Sequence, residues 1–216
     1  MQKQLTQTLA SLPYITTQDL ATLLGSSNEV ARTTASRWCK QDRLIRLKKG
    51  VYISKEFALT HQHHLNFTNL LANIIQPSSY LSLEYVLQDN GILSDATYSI
   101  TAVTSKNTSS ITNNFGLFSY QHIKSELYTG FETSSLAGIN THRASKPKAL
   151  FDYLYLRPLS ANINQADYNL AQELRLNLDE FSDKEIKEFG KFVLLSNSPK
   201  MIAIKNNLSR HSWQQL

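Results

Sequence analysis

The stretch from Ser26 to Ile53, SSNEVARTTASRWCKQDRLIRLKKGVYI, leaves the chain the fewest choices of fold. Wound at about 100° per residue, its first half sorts into two arcs. One carries Asn28, Glu29, Arg32, Thr33, Ser36, Arg37 and Lys40. The other carries Val30, Ala31, Thr34, Ala35, Trp38 and Cys39, with Gln41 near its edge. Such a split predicts an amphipathic helix whose second arc packs on a neighbour. Ser26 and Glu29 have the spacing of a capping box at its start. The second half places two β-prone runs, Leu44-Ile45-Arg46-Leu47 and Val51-Tyr52-Ile53, on either side of Lys48-Lys49-Gly50. That predicts a hairpin with lysines at its tip and a glycine to make the turn. The outward arc holds the residue types that reach phosphates and base edges in a major groove. An ordinary solvated helix face would look similar; the hairpin lysines favour a recognition helix and wing. Cys39, on the apolar arc, reads as a small core residue.

The residues before this stretch complete a helix-turn-helix pattern. Leu5, Leu9 and Leu12 have the spacing of one helix face, which Pro13 ends. Thr16 caps a second helix, with Asp19 as first-turn acid, and Gly25 stops it after Leu20, Leu23 and Leu24. The charge supports a nucleic-acid partner for this lobe alone. Residues 1–55 hold nine Lys and Arg against Asp19, Glu29 and Asp42, a balance of +6; the remainder holds 13 bases and 14 acids, a balance of −1. A basic lobe on a neutral body points to a phosphate backbone.

The body has a different character. Residues 56–76 are predicted to form a linking helix. Its histidines, His61, His63 and His64, lack a nearby carboxylate or cysteine to complete a metal site. Ser78-Ser79 is predicted to cap a helix ending at Asn90-Gly91. Strands are expected over Tyr98–Thr104, Phe115–Ile123, Leu127–Phe131 and Ile139–His142, with a polar linker over 105–114. Ser145 caps a strong helix with Pro147 in its first turn. Further helices follow from Gln165 to about Leu176, from the Ser182–Glu185 capping box and from Ser198-Pro199. The expected fold is therefore α+β: a winged helix-turn-helix over 1–55, the linking helix, and over 77–216 a domain with a mostly antiparallel sheet and C-terminal helices.

Several function classes find little support. A single cysteine forms no internal disulfide and no metal-binding pair. Nowhere do about 18 apolar residues follow one another, and the first residues lack the core of a signal peptide. A cytoplasmic protein with no membrane contact is expected. No phosphate-binding glycine loop, zinc-helix motif or nucleophile elbow is present. The sharpest enzyme reading is a metal-dependent nuclease built on Asp95, Glu126 and Lys124, targeted by the winged helix; scattered surface carboxylates are far commoner. Some of the many tyrosines and phenylalanines could form a protein-binding surface instead of core.

The order of segments carries a family resemblance. RLIRLKKGVYI closes the basic lobe, SSYLSLEYVLQDNGILSD follows, then YSITAVTS, then HRASKPKALFDYLYL. This order resembles the AbiEi-type antitoxins, the regulatory half of bacterial type IV (abortive infection) toxin–antitoxin pairs that act in phage defence. The resemblance covers nearly the whole chain and is weakest after about residue 160. In that family the hairpin tends to read leucine, arginine, Gly-x-Tyr, matched here by Arg46, Gly50 and Tyr52. The later helix usually begins E-K-A-L with an acid soon after; here Pro147 replaces the glutamate before Lys148-Ala149-Leu150, and Asp152 follows. The resemblance implies a transcriptional autorepressor binding double-stranded DNA at its own promoter. It also implies a C-terminal domain that counteracts a nucleotidyltransferase-like toxin, without requiring direct contact. Some relatives of this architecture look like orphan regulators without a toxin. The expected DNA-contacting residues are Asn28, Arg32, Thr33, Ser36, Arg37, Lys40, Arg46, Lys48 and Lys49. No catalytic residue, metal or cofactor is expected.

Overall fold

A computed structural model of the protein describes residues 8–94, 98–158 and 160–213. Leu5 and Asp95, singled out in the sequence, lie outside them. The chain is α+β and divides into two units. One holds the residues up to Pro77 with 111–117 and 134–141; the other holds Ser78–Ser110, Phe118–Thr133 and the residues from His142 onward.

In the first unit, helix α1 (Thr17–Leu24) starts at a capping box. The Asp19 amide donates to the Thr16 hydroxyl, and the Thr16 amide donates to the Asp19 carboxylate at 2.9 Å. Gly25 ends the helix in the left-handed region, which costs a glycine nothing. Helix α2 (Asn28–Lys40) begins one residue later than the Ser26–Glu29 spacing predicts. Ser27 is its cap and accepts from the Val30 amide, so the first turn is shifted. Ala31, Ala35 and Trp38 join Leu9, Ile15, Leu20, Ala21, Leu44 and Tyr52 in one core. Val30, expected on the buried arc, is 51% exposed, because the neighbours cover only the strip through Ala31, Ala35 and Trp38.

Strands β1 (Ile15–Thr16), β2 (Leu44–Lys48) and β3 (Val51–Ser54) form an antiparallel sheet in the order β1-β3-β2. Ile45 pairs with Ile53 and Arg46 with Tyr52; a bulge then intervenes before Lys48 pairs with Val51. Both faces of the hairpin carry buried residues: Leu44 and Tyr52 on one, Ile45, Leu47 and Ile53 on the other. The predicted linking helix is two helices, α3 (Lys55–His61) and α4 (Phe67–Ile75). Between them the His64 ring accepts the Asn66 amide at 3.1 Å, a local side-chain bond that competes with helix continuation.

The larger sheet is mixed. Strand β4 (Ser79–Leu81) stands where Ser78-Ser79 suggested a helix cap, held antiparallel to β5 (Ser99–Thr104) and parallel to β9 (Ile139–Ala144). Helix α5 (Leu83–Asp89) follows directly. The strand order is β6-β7-β5-β4-β9-β8. Here β7 is Gly116–His122 and β8 is Phe131–Leu136; β6 (Ser109–Asn113) occupies the tract expected to be linker. The run Leu127–Phe131 is mostly not strand: a 3-10 turn covers Ser125–Leu127, and β8 begins only at Phe131.

Helix α6 (Lys146–Leu156) is capped by Ser145 with Pro147 in its first turn, as its sequence suggests. The helix predicted from Gln165 shrinks to α7 (Leu170–Glu173), capped by Asn169. Helices α8 (Asp183–Ser196) and α9 (Pro199–His211) close the chain. No described helix is long and apolar enough to cross a membrane.

Candidate nucleic-acid interface

Three elements of the first unit surround one groove of about 590 Å³. The start of α1 contributes Thr16, Thr17 and Gln18. Helix α2 contributes Arg32, Ser36 and Cys39, and the hairpin contributes Arg46, Lys49, Gly50 and Tyr52. The hairpin is tied to α1, because the Thr17 amide donates to the Gly50 carbonyl at 2.9 Å. Gly50 has φ +76°, and a Cβ there would stand 3.3 Å from the Thr17 hydroxyl, so both backbone and space favour glycine. Three cations and no carboxylate line the groove. Concave walls of one charge sign focus the field on an anion.

The outward arc of α2 extends this surface. Thr33, Arg37 and Lys40 are exposed, as are Arg32 and Ser36. Among the described residues, no carboxylate forms an ion pair with Arg32, Arg37, Lys40, Arg46 or Lys49. The Arg46 Nε donates to the Lys48 carbonyl at 3.4 Å. Thr33 donates to the Glu29 carbonyl at 3.1 Å, the usual resting place of a helical threonine hydroxyl.

Two of the expected residues also bond within the first unit. The Lys48 ammonium donates to the Ile75 carbonyl at 2.6 Å, at the end of α4, and burial lowers its pKa. The bulge between Arg46 and Lys48 breaks the alternation and turns this side chain to the α4 side of the hairpin. Asn28 Nδ2 donates to Gln18 Oε1 at 3.0 Å and braces α2 against α1. Cys39 is half-buried; burial raises its thiol pKa against the smaller opposing effect of Arg46, so it is no reactive thiolate.

The histidines of the linking segment have local roles. His61 stacks on Phe57 at 4.0 Å and His64 holds the turn before α4. Among the described residues no group of three His, Cys, Asp or Glu could hold a metal. Lys124 and Glu126 are exposed beside the 3-10 turn, and Asp95, their expected partner, is outside the described residues.

A buried polar centre in the second unit went unassigned in the sequence. Lys148 Nζ donates to Asp152 Oδ1 at 2.6 Å and to the Leu127 carbonyl at 2.9 Å. Tyr80 and Ser82 donate to Asp152 Oδ2 at 3.0 and 2.8 Å. All four side chains have no exposure, so a substrate cannot touch them without opening the fold. Burial pushes the Lys148 pKa down and those of Asp152 and Tyr80 up, and the Lys148–Asp152 attraction partly restores the charged pair. The available signal was a lysine and an aspartate four residues apart in an otherwise apolar helix.

No protein-family model matches the chain, and no curated protein sequence matches it.

Proposed function

We propose that the protein is a DNA-binding transcriptional regulator, an autorepressor whose first unit acts as a winged helix-turn-helix. The observation that carries this reading is the acid-free groove lined by Arg32, Arg46 and Lys49, continuous with the outward arc of α2. In this reading Thr33, Ser36 and Arg37 reach base edges in the major groove, where an arginine pairs bidentately with guanine. Arg32, Lys40, Arg46 and Lys49 meet backbone phosphates. Lys48 acts as a brace for the hairpin through Ile75, and Asn28 as a brace for α2 through Gln18.

The antitoxin part of the proposal rests on the resemblance to AbiEi-type proteins. The second unit would counteract a nucleotidyltransferase-like toxin, with or without touching it. The test joins the DNA upstream of the gene to a reporter. Supplying the protein is expected to lower expression, and Arg32→Ala with Arg37→Ala to restore it. Reporter output that ignores the wild-type protein contradicts autorepression. Co-expression with an adjacent nucleotidyltransferase-like reading frame tests the second part; growth that the protein does not rescue contradicts it.

A further inference from the structure

We propose that one face of α8 and α9 in the second unit docks a protein partner that presents aliphatic side chains ringed by carboxylates. At about 100° per residue, Lys184, Lys187, Lys191, Leu194 and Leu195 fall in a single arc of roughly 100°, and all five are exposed. Phe189, Phe192 and Val193, on the opposite side, are buried. Helix α9 turns back along α8 after Asn197. A Cβ on Gly190 would stand 3.8 Å from Lys205 Cε and Nζ, which places Lys205 beside the lysine arc. Ile202 is three residues earlier on the same side of α9. Leu194, Leu195 and Ile202 are 74%, 51% and 48% exposed.

Solvation accounts for lysines on such a face but not for three open aliphatic chains at its end. Two of the nearby carboxylates, Glu185 and Glu188, are engaged elsewhere. Glu185 accepts from Ser182 and pairs with Lys146, and Glu188 accepts from Ser145; Asp183 flanks the arc at its first turn. Among the described residues none of the four lysines has an ion-pair partner.

Charge complementarity therefore selects an acidic occupant. The aliphatic chains select protein over nucleic acid, whose phosphates offer them no apolar contact. A membrane is disfavoured because lysines and leucines share one arc, whereas a helix lying in a membrane interface keeps them on opposite faces. This inference does not rest on the DNA reading of the first unit.

The test titrates the 15N-labelled full chain with a synthetic amphipathic helical peptide of leucine and glutamate. Phosphatidylglycerol vesicles and an arbitrary DNA duplex are titrated in parallel. The peptide is expected to shift the amide resonances of residues 184–205. Binding is expected to weaken at least about tenfold in Leu194→Ser with Ile202→Ser, and in Lys187→Glu with Lys191→Glu. Should the leucine variant fold poorly, the lysine variant alone decides. Absence of shifts up to millimolar peptide, or unweakened binding by the lysine variant, overturns the proposal. So does movement of these resonances by vesicles or duplex but not by peptide. Self-association abolished by Leu194→Ser would assign the face to a second copy and overturn it equally.

Discussion

Lys148 and Asp152 are tolerated inside the second unit because each charge is met several times over. The lysine has a carboxylate and a carbonyl; the aspartate has a lysine, a tyrosine and a serine. Removing one partner strands a buried ion, at a cost of about 3–5 kcal/mol. Asp152→Ala is expected to lower unfolding stability by that amount in urea. Lys148→Met with Asp152→Leu is expected to cost clearly less than the two single losses together, a non-additivity that a double-mutant cycle measures. Additive losses would mean that the pair does not act as a unit. A lysine and an aspartate four residues apart in an apolar helix were the mark the sequence carried. It said nothing of Tyr80 and Ser82, which lie some 70 residues away in sequence and reach Asp152 only through the sheet.

At the scale of elements, caps were the most legible signals, because a cap is local chemistry. Thr16–Asp19, Gly25, Ser145 and Ser182–Glu185 all sit where their spacing suggested. The Ser182 amide and hydroxyl both donate to Glu185, at 2.9 and 2.8 Å. Burial alone would raise the Glu185 pKa; these two bonds and Lys146 outweigh it and hold the carboxyl below its ordinary value of 4.5. A depressed acid contributes stability that is present above its unfolded pKa and lost as pH falls through the folded one. Glu185→Gln is therefore expected to melt lower than wild type at neutral pH, with the gap closing as pH falls below the ordinary carboxyl value of 4.5 and the group protonates. A gap that persists unchanged at pH 3 would contradict this assignment.

Elements set by distant contacts were hidden. Strand β4 is three residues long and exists because β5 and β9 flank it. Strand β6, SSITN, is a largely exposed strand at the sheet edge, too polar to show a buried face. The bulge that turns Lys48 away from the hairpin's groove side leaves no mark in LIRLKKGVYI, so two adjacent lysines that look equivalent in sequence have different surroundings.

For the whole molecule, the charge division between the first 55 residues and the rest was plain from the sequence, and the groove gives that charge a location. Arg46 lines the groove with Arg32 and Lys49, while Lys48 bonds to the Ile75 carbonyl. The proposed regulator function requires this groove to meet a nucleic-acid backbone. Its most direct test is fluorescence anisotropy on the duplex upstream of the gene, repeated over a range of salt concentrations. Each neutralised phosphate contributes about 0.9 to the slope of log affinity against log salt. Arg46→Ala with Lys49→Ala is expected to flatten the slope by about 2, while Lys48→Ala leaves it unchanged. Absence of binding by wild type at low salt, or a slope that Arg46→Ala with Lys49→Ala does not alter, would contradict the claim.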